Sequence, residues 1–190
     1  MKRITVVLLF AVACLAFASD ASAQTCQPYG SGGLYGPYSP NAFNYVANGG
    51  PANEACWSLF NATIDTMTCG FTNTNTFEFN YAGDVAQTFT IPATDTSRSH
   101  YSLVYLFEFT DPDHSPAFTQ FSIEVRDETT HYVLFTDYYN GSQPDLFCVR
   151  REPAAITGNL AGHTISIRML GTRASAAAHV RAFGIQFWGY

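Results

Sequence analysis

Apolar and polar residues alternate with a period of two over much of this chain. Near its end, Ile165, Ile167 and Met169 share one face while Ser166 and Arg168 take the other. Phe183, Ile185 and Phe187 then alternate with Gly184 and Gln186 beyond a Gly-Thr-Arg-Ala-Ser turn region, which predicts two antiparallel strands closing over a core. Upstream, Phe77, Phe79 and Tyr81 alternate with Glu78 and Asn80, and Val85, Gln87, Phe89 and Ile91 form a further strand ended by Pro92. Phe121, Ile123 and Val125 give another, followed by His131 to Tyr138, and a shorter region runs around Trp57 to Phe60. The strongest pattern is His100 to Thr110, with Tyr101, Leu103, Tyr105, Phe107 and Phe109 on one face. Val104 and Leu106 interrupt the polar face, so this strand is expected to be central and covered on both sides. No stretch shows helical periodicity with caps. Eight or so strands joined by short polar turns predict an all-β, two-sheet antiparallel sandwich.

The beginning of the chain follows a different rule. Met1-Lys2-Arg3 is basic, Ile4 to Phe17 is continuously apolar, and Ala21-Ser22-Ala23 before Gln24 has the small residues of a cleavage site. This pattern predicts a signal peptide over residues 1–23, with a secreted product that is periplasmic or extracellular and does not insert in a membrane once the leader is removed. Residues 24–54 are crowded with Gly, Pro, Asn, Ser and Tyr and are expected to be irregular, which leaves 55–190 for the sandwich. Of five cysteines, Cys14 belongs to the leader; Cys26, Cys56, Cys69 and Cys148 make an even set suited to disulfides in an oxidising compartment. Three pairings are open. The favoured one closes the short Cys56 to Cys69 loop and leaves Cys26 with Cys148. Zinc is disfavoured because no Cys-x-x-Cys pair is present and the five histidines lack ligand spacing.

Charge removes further classes. The formal net charge is −6, the only lysine is Lys2, and the remaining arginines are dispersed. No basic stripe exists for nucleic acid or an anionic membrane, and a chain cut after Ala23 has no lysine for catalysis.

The order of strands resembles the galactose-binding-like jelly roll of secreted carbohydrate-binding modules. The similar pieces are Gln87 to Pro92, Tyr101 to Phe107, Phe121 to Asp127, Leu160 to Arg168 and the terminal strand from Val180. The resemblance implies a jelly-roll sandwich and a glycan partner. Many members carry a pair of aspartates in the last strand, one of them serving a structural calcium; the corresponding positions here are Phe183-Gly184, so that ligand is missing. Asp111 and Asp113, in the loop Asp111-Pro112-Asp113-His114, remain candidate calcium ligands, against the plainer reading of an Asp/Pro turn.

Aromatic side chains near hydrogen-bonding partners suit sugar rings, which present apolar C–H faces and hydroxyls together. Tyr138, Tyr139 and Asn140 combine both at one strand end, and Trp57 is a further candidate. Since Tyr138 and Tyr139 are adjacent, they point to opposite faces, one core and one exposed. Glu78, Glu108, Glu124, Asp127 and Asp137 are the carboxylates from which a hydrolytic pair would be drawn, but no Gly-x-Ser-x-Gly elbow or triad spacing accompanies them. The reading favours a non-catalytic module binding a glycan or another extracellular surface. Alternatives are a structural or adhesive envelope protein using the Tyr/Gly-rich segment and, behind it, a small hydrolase.

Overall fold

A computed structural model of the chain describes residues 28–30, 42–47, 56–69, 72–152 and 155–190, with only the backbone given at 28–30, 47 and 72–74. The expected leader and Cys26 lie outside the described residues. Among the described residues eleven strands follow in order: β1 (Pro28–Gly30), β2 (Phe43–Ala47), β3 (Ser58–Cys69), β4 (Thr72–Thr90), β5 (His100–Thr110), β6 (Gln120–Asp127), β7 (Tyr132–Asn140), β8 (Leu146–Arg151), β9 (Ile156–Thr157), β10 (Thr164–Thr172) and β11 (His179–Gly189). All the pairings are antiparallel.

The protein is an all-β sandwich made by curling one sheet. One layer contains β8, β5, β11 and the first half of β4; the other contains the second half of β4 with β10, β6 and β7. β3 runs along β4 through both layers. The two inner faces enclose one core. Phe77, Phe79, Tyr101, Tyr105, Phe107, Phe109, Phe121 and Phe187 are all but fully buried there, each ring contributing about 2 kcal/mol of apolar burial. Phe107 lies 4.4 Å from Phe121, centroid to centroid, and so joins the layers directly. The alternations read for β5, β6 and β10 are reproduced, and β5 is buried on both faces as Val104 and Leu106 imply.

Two strands are longer than their alternation shows. Phe77–Tyr81 and Val85–Ile91 belong largely to a single 19-residue strand, β4, and β3 continues through Asn61 to Cys69. The break in pattern is a bend: between Phe60↔Asp84 and Ala62↔Phe79, β4 spends five steps against two on β3. Asn61 and Ala82 take left-handed φ values of 48° and 54°, and Tyr81 is thrown outward.

β11 carries a second correction. Phe183 was expected to share the face of Ile185 and Phe187, but it packs with Met67 and Leu106 on the opposite side. Phe183 pairs with Leu106 and Gln186 with Val104, three steps against two, so one residue is bulged out. Gly184, at φ 57°, supplies that bulge and shifts the period-two phase. Val180 and Ala182 therefore face the core before it, and Ile185 and Phe187 after it.

The segment expected to be irregular supplies β1 and β2. Asn44 is fully buried, and its side-chain oxygen accepts from the amides of Val46 and Phe187, both at 3.1 Å, which docks β2 on β11. The expected Cys56–Cys69 loop is also corrected: Cys69 is bonded to Cys148, across 79 positions. The cause is topological. The β3–β4 hairpin end packs over the outer face of β5 and β11, through Met67, Leu106 and Phe183, and this brings Cys69 to β8. Cys56 is disulfide-bonded as well.

Two stability effects follow. Cys69→Ser with Cys148→Ser should lower the unfolding free energy by roughly 4 kcal/mol, the chain-entropy value for a loop of this size, measured by urea denaturation against the unaltered protein. Gly184→Val should cost about 1–2 kcal/mol, because a β-branched residue is forced into the left-handed region; an unchanged urea midpoint would refute the bulge assignment.

Candidate functional site

The carboxylates divide into engaged and available groups. Glu78 on β4 and Glu108 on β5 flank Arg181 of β11, which donates to Glu108 Oε2 at 3.0 Å, Glu78 Oε2 at 3.1 Å and Asp65 Oδ2 at 2.8 Å. Arg173 and His179 meet Glu78 Oε1 at 2.6 and 3.2 Å. This is an ion-paired network on the outer face of the first layer, with the guanidinium standing between the two glutamates. Asp65 is held below the usual carboxylate range by the Thr66 amide and by the charge and hydrogen bond of Arg181.

Asp137 closes the opposite edge. Its Oδ2 accepts from Tyr105 Oη at 2.7 Å and from Arg151 at 2.7 and 3.1 Å, while Oδ1 accepts from the Tyr138 amide at 2.9 Å. Burial, followed by the Asp137 hydrogen bond, pushes the Tyr105 phenol far above its ordinary value, so it remains a donor. β5, β7 and β8 are thereby tied across the gap between layers.

Asp127 organises the β6–β7 turn. It accepts from the amides of Thr129 and Thr130, from Thr130 Oγ1 at 2.6 Å and from His163 Nδ1 at 2.7 Å. Burial raises its carboxyl, but the Thr130 hydroxyl, His163 and the two amides together outweigh burial and the net direction is down. Glu124 stands apart from these networks, on the outer face of β6, facing an open groove.

The other singled-out residues are also placed. Asp111 is fully buried; its carboxylate accepts from the amides of Asp113 at 3.3 Å and Ser115 at 2.6 Å, which makes it the organiser of its own turn. Asp113 is exposed beside it. Among the described residues no three His, Cys, Asp or Glu side chains converge as a metal site, and Phe183-Gly184 brings no carboxylate to the position where the resemblance implies a calcium ligand. Trp57 is buried against Phe77 at 5.1 Å. Asn140 holds a turn through Ser142. Tyr139 is 7% exposed, packs edge-on against Phe107 and Phe109, and donates to the Pro144 carbonyl at 2.7 Å. Tyr138 faces the other way and is 51% exposed.

Tyr138 belongs to a constellation that spacing in sequence does not show. It lies in register with Ser122 on β6, Ser122 with Leu170 on β10, Leu170 with Asp84 on β4, and Asp84 with Phe60 on β3. Residues opposite one another in antiparallel strands share a face, so all five project from the outer side of the second layer. The next row on that face is Ser58, Ala86, Arg168, Glu124 and Thr136. Arg168 grips Asp84 with both Nε and Nη2. Two grooves, of about 300 and 170 Å³, share Ser122, Tyr138 and Leu170. The larger continues over Gln120 and Thr172, the smaller over Glu124, Thr136 and Arg168. Under the larger one, on the core side of the sheet, a Cβ on Gly171 would stand 2.5 Å from the Phe79 ring, so only glycine lets β10 lie there. Leu170 and Phe60 were not anticipated. The signal available for Leu170 was an apolar residue on the polar face of β10.

No protein family and no curated protein matches the chain. The solved structures it resembles are mostly carbohydrate-binding modules. One is TmCBM61 in complex with β-1,4-galactotriose, 12% identical at a TM-score of 0.47, covering 77% of this chain and 97% of that one. Another is a family 35 carbohydrate-binding module from Clostridium thermocellum, 17% identical at a TM-score of 0.38, covering 77% and 96%. The enzymatically active domain of bacteriophage CBA120 tailspike protein 4 is 14% identical at a TM-score of 0.48, covering 77% of this chain and 21% of that one. The chain thus spans about a fifth of that protein's length.

Asp127 makes a pH dependence testable. Its folded pKa lies below the ordinary 3.8, so its contribution to stability is full above that value and is lost as pH falls through the lower folded value. Asp127→Asn should therefore flatten the acid limb of a stability-against-pH curve below about pH 4. An acid limb identical to that of the unaltered protein would refute this role.

Proposed function

We propose that this is a secreted, non-catalytic module that binds glycan on the outer face of β4, β10, β6 and β7. The observation that carries the reading is Tyr138, half-exposed beside Leu170, over two joined grooves fringed by Ser122, Gln120, Thr172, Thr136 and Glu124. An aromatic ring beside an aliphatic side chain receives the C–H face of a sugar, and the surrounding hydroxyl, amide and carboxylate groups exchange hydrogen bonds with its hydroxyls. Secretion is supported by the leader pattern at 1–23 and by the Cys69–Cys148 disulfide, a bond suited to an oxidising compartment. The absence of catalysis is supported by the placement of the acidic groups: Glu78 and Glu108 share Arg181, Asp137 is tied to Arg151, and Asp127 holds a turn.

The test is retention on immobilised polysaccharides, compared between the unaltered protein and Tyr138→Ala. The side chain is exposed, so the variant should keep its melting temperature while losing about tenfold in affinity, the loss expected for one stacking contact. Equal retention of both proteins would refute this face as the site. Retention on no glycan, with self-association that rises with concentration, would favour the adhesive alternative.

A further inference from the structure

The five-residue row has a length and a shape that limit what can lie on it. Phe60, Asp84, Leu170, Ser122 and Tyr138 come from five neighbouring strands, and strands stand about 4.8 Å apart, so the row runs about 19 Å from Phe60 to Tyr138. Its apolar members recur on every second strand: Phe60, 65% exposed, Leu170, 42%, and Tyr138, 51%. Asp84 and Ser122 stand between them. Apolar contacts and hydrogen-bonding groups therefore alternate over a distance greater than one sugar ring covers.

Twist decides the form of the occupant. Adjacent strands rotate by about 20–25°, so across four steps the side-chain directions at the two ends diverge by about 80–100°. Three groups splayed in this way cannot all touch one flat surface. A single chain able to turn about its own axis can follow them.

Charge decides its class. The face carries Asp84, Glu124 and Glu128 as acids and Arg126 and Arg168 as bases. Arg168 is bonded to Asp84 and stands opposite Glu124, and Arg126 lies 4.0 Å from Glu128, so both arginines already have acidic neighbours and the acids outnumber them by one. With a formal charge of −6 on the whole chain, a polyanion would meet net repulsion.

The geometry points to a stretch of one soluble, neutral polysaccharide chain, laid across β3, β4, β10, β6 and β7 from Phe60 to Tyr138. This inference rests on the glycan-binding reading and goes beyond it in naming the length, physical state and charge of the ligand.

Titration calorimetry of the full chain with soluble glucan, galactan, mannan and xylan selects a probe, and its oligosaccharides from the disaccharide to the hexasaccharide then form a ladder. Crystalline cellulose and polygalacturonate serve as the flat and the anionic controls. Affinity should climb with length. Phe60→Ala should weaken the polymer about tenfold and leave the disaccharide unchanged, whereas Tyr138→Ala should weaken both. A disaccharide that binds as tightly as the polymer, a Phe60→Ala variant equal to the unaltered protein on the polymer, or stronger retention on either control would overturn the inference. If Tyr138→Ala still loses binding in that case, the glycan reading stands. A Tyr138→Ala variant equal to the unaltered protein, or no binding of any probe, overturns both.

Discussion

A strand that serves two layers cannot keep the even geometry of a strand along its whole length, and β4 meets this constraint at Tyr81–Gly83. Its first half, beside β11, carries Phe77 and Phe79 into the core, and its second half, beside β10, carries Val85 and Gln87 there. The turn between halves is taken by Ala82 in a left-handed conformation, matched by Asn61 on β3. Gly83 and Gly171 face each other in the ladder at that corner, where a side chain on Gly171 would strike the Phe79 ring. The curl, the enclosed aromatic core and the placement of Tyr81 and Phe60 beside the outer face all depend on that bend.

Polar chemistry in this protein serves the fold in most places. Arg181 gathers three carboxylates on one layer, and Asp137 with Tyr105 and Arg151 joins the layers at the edge away from β4. An unpaired charge at such a site would be costly, and Arg181, Glu78, Glu108, Asp137 and Arg151 each have an ionic partner. Groups committed in this way are poor candidates for proton transfer. Tyr138, Leu170 and Glu124 contrast with them, because they line grooves and are not consumed by the core.

Much of the fold was legible because burial on one face writes itself as alternation. β6 and β10 show this residue by residue, and adjacency alone placed Tyr138 and Tyr139 on opposite faces. Legibility failed where the period was broken. The bulge at Gly184 moved Phe183 to the outer side, the bend at Ala82 hid the continuity of β4, and β2 reads as irregular because its buried Asn44 looks polar in sequence. The Cys69–Cys148 bond was beyond spacing altogether, since it depends on the hairpin end reaching β8.

The candidate site divides in the same way. Residue type and local order determined an all-β class, the central β5, a sparse and acidic charge distribution, and one exposed tyrosine at the end of β7. Tertiary structure decided which side chains stand beside that tyrosine. Phe60, Asp84, Leu170 and Ser122 are scattered over more than a hundred positions, and only the register of four strand pairings brings them into one row. Register is a property of paired strands, fixed by which faces must be buried together, and no single strand contains it.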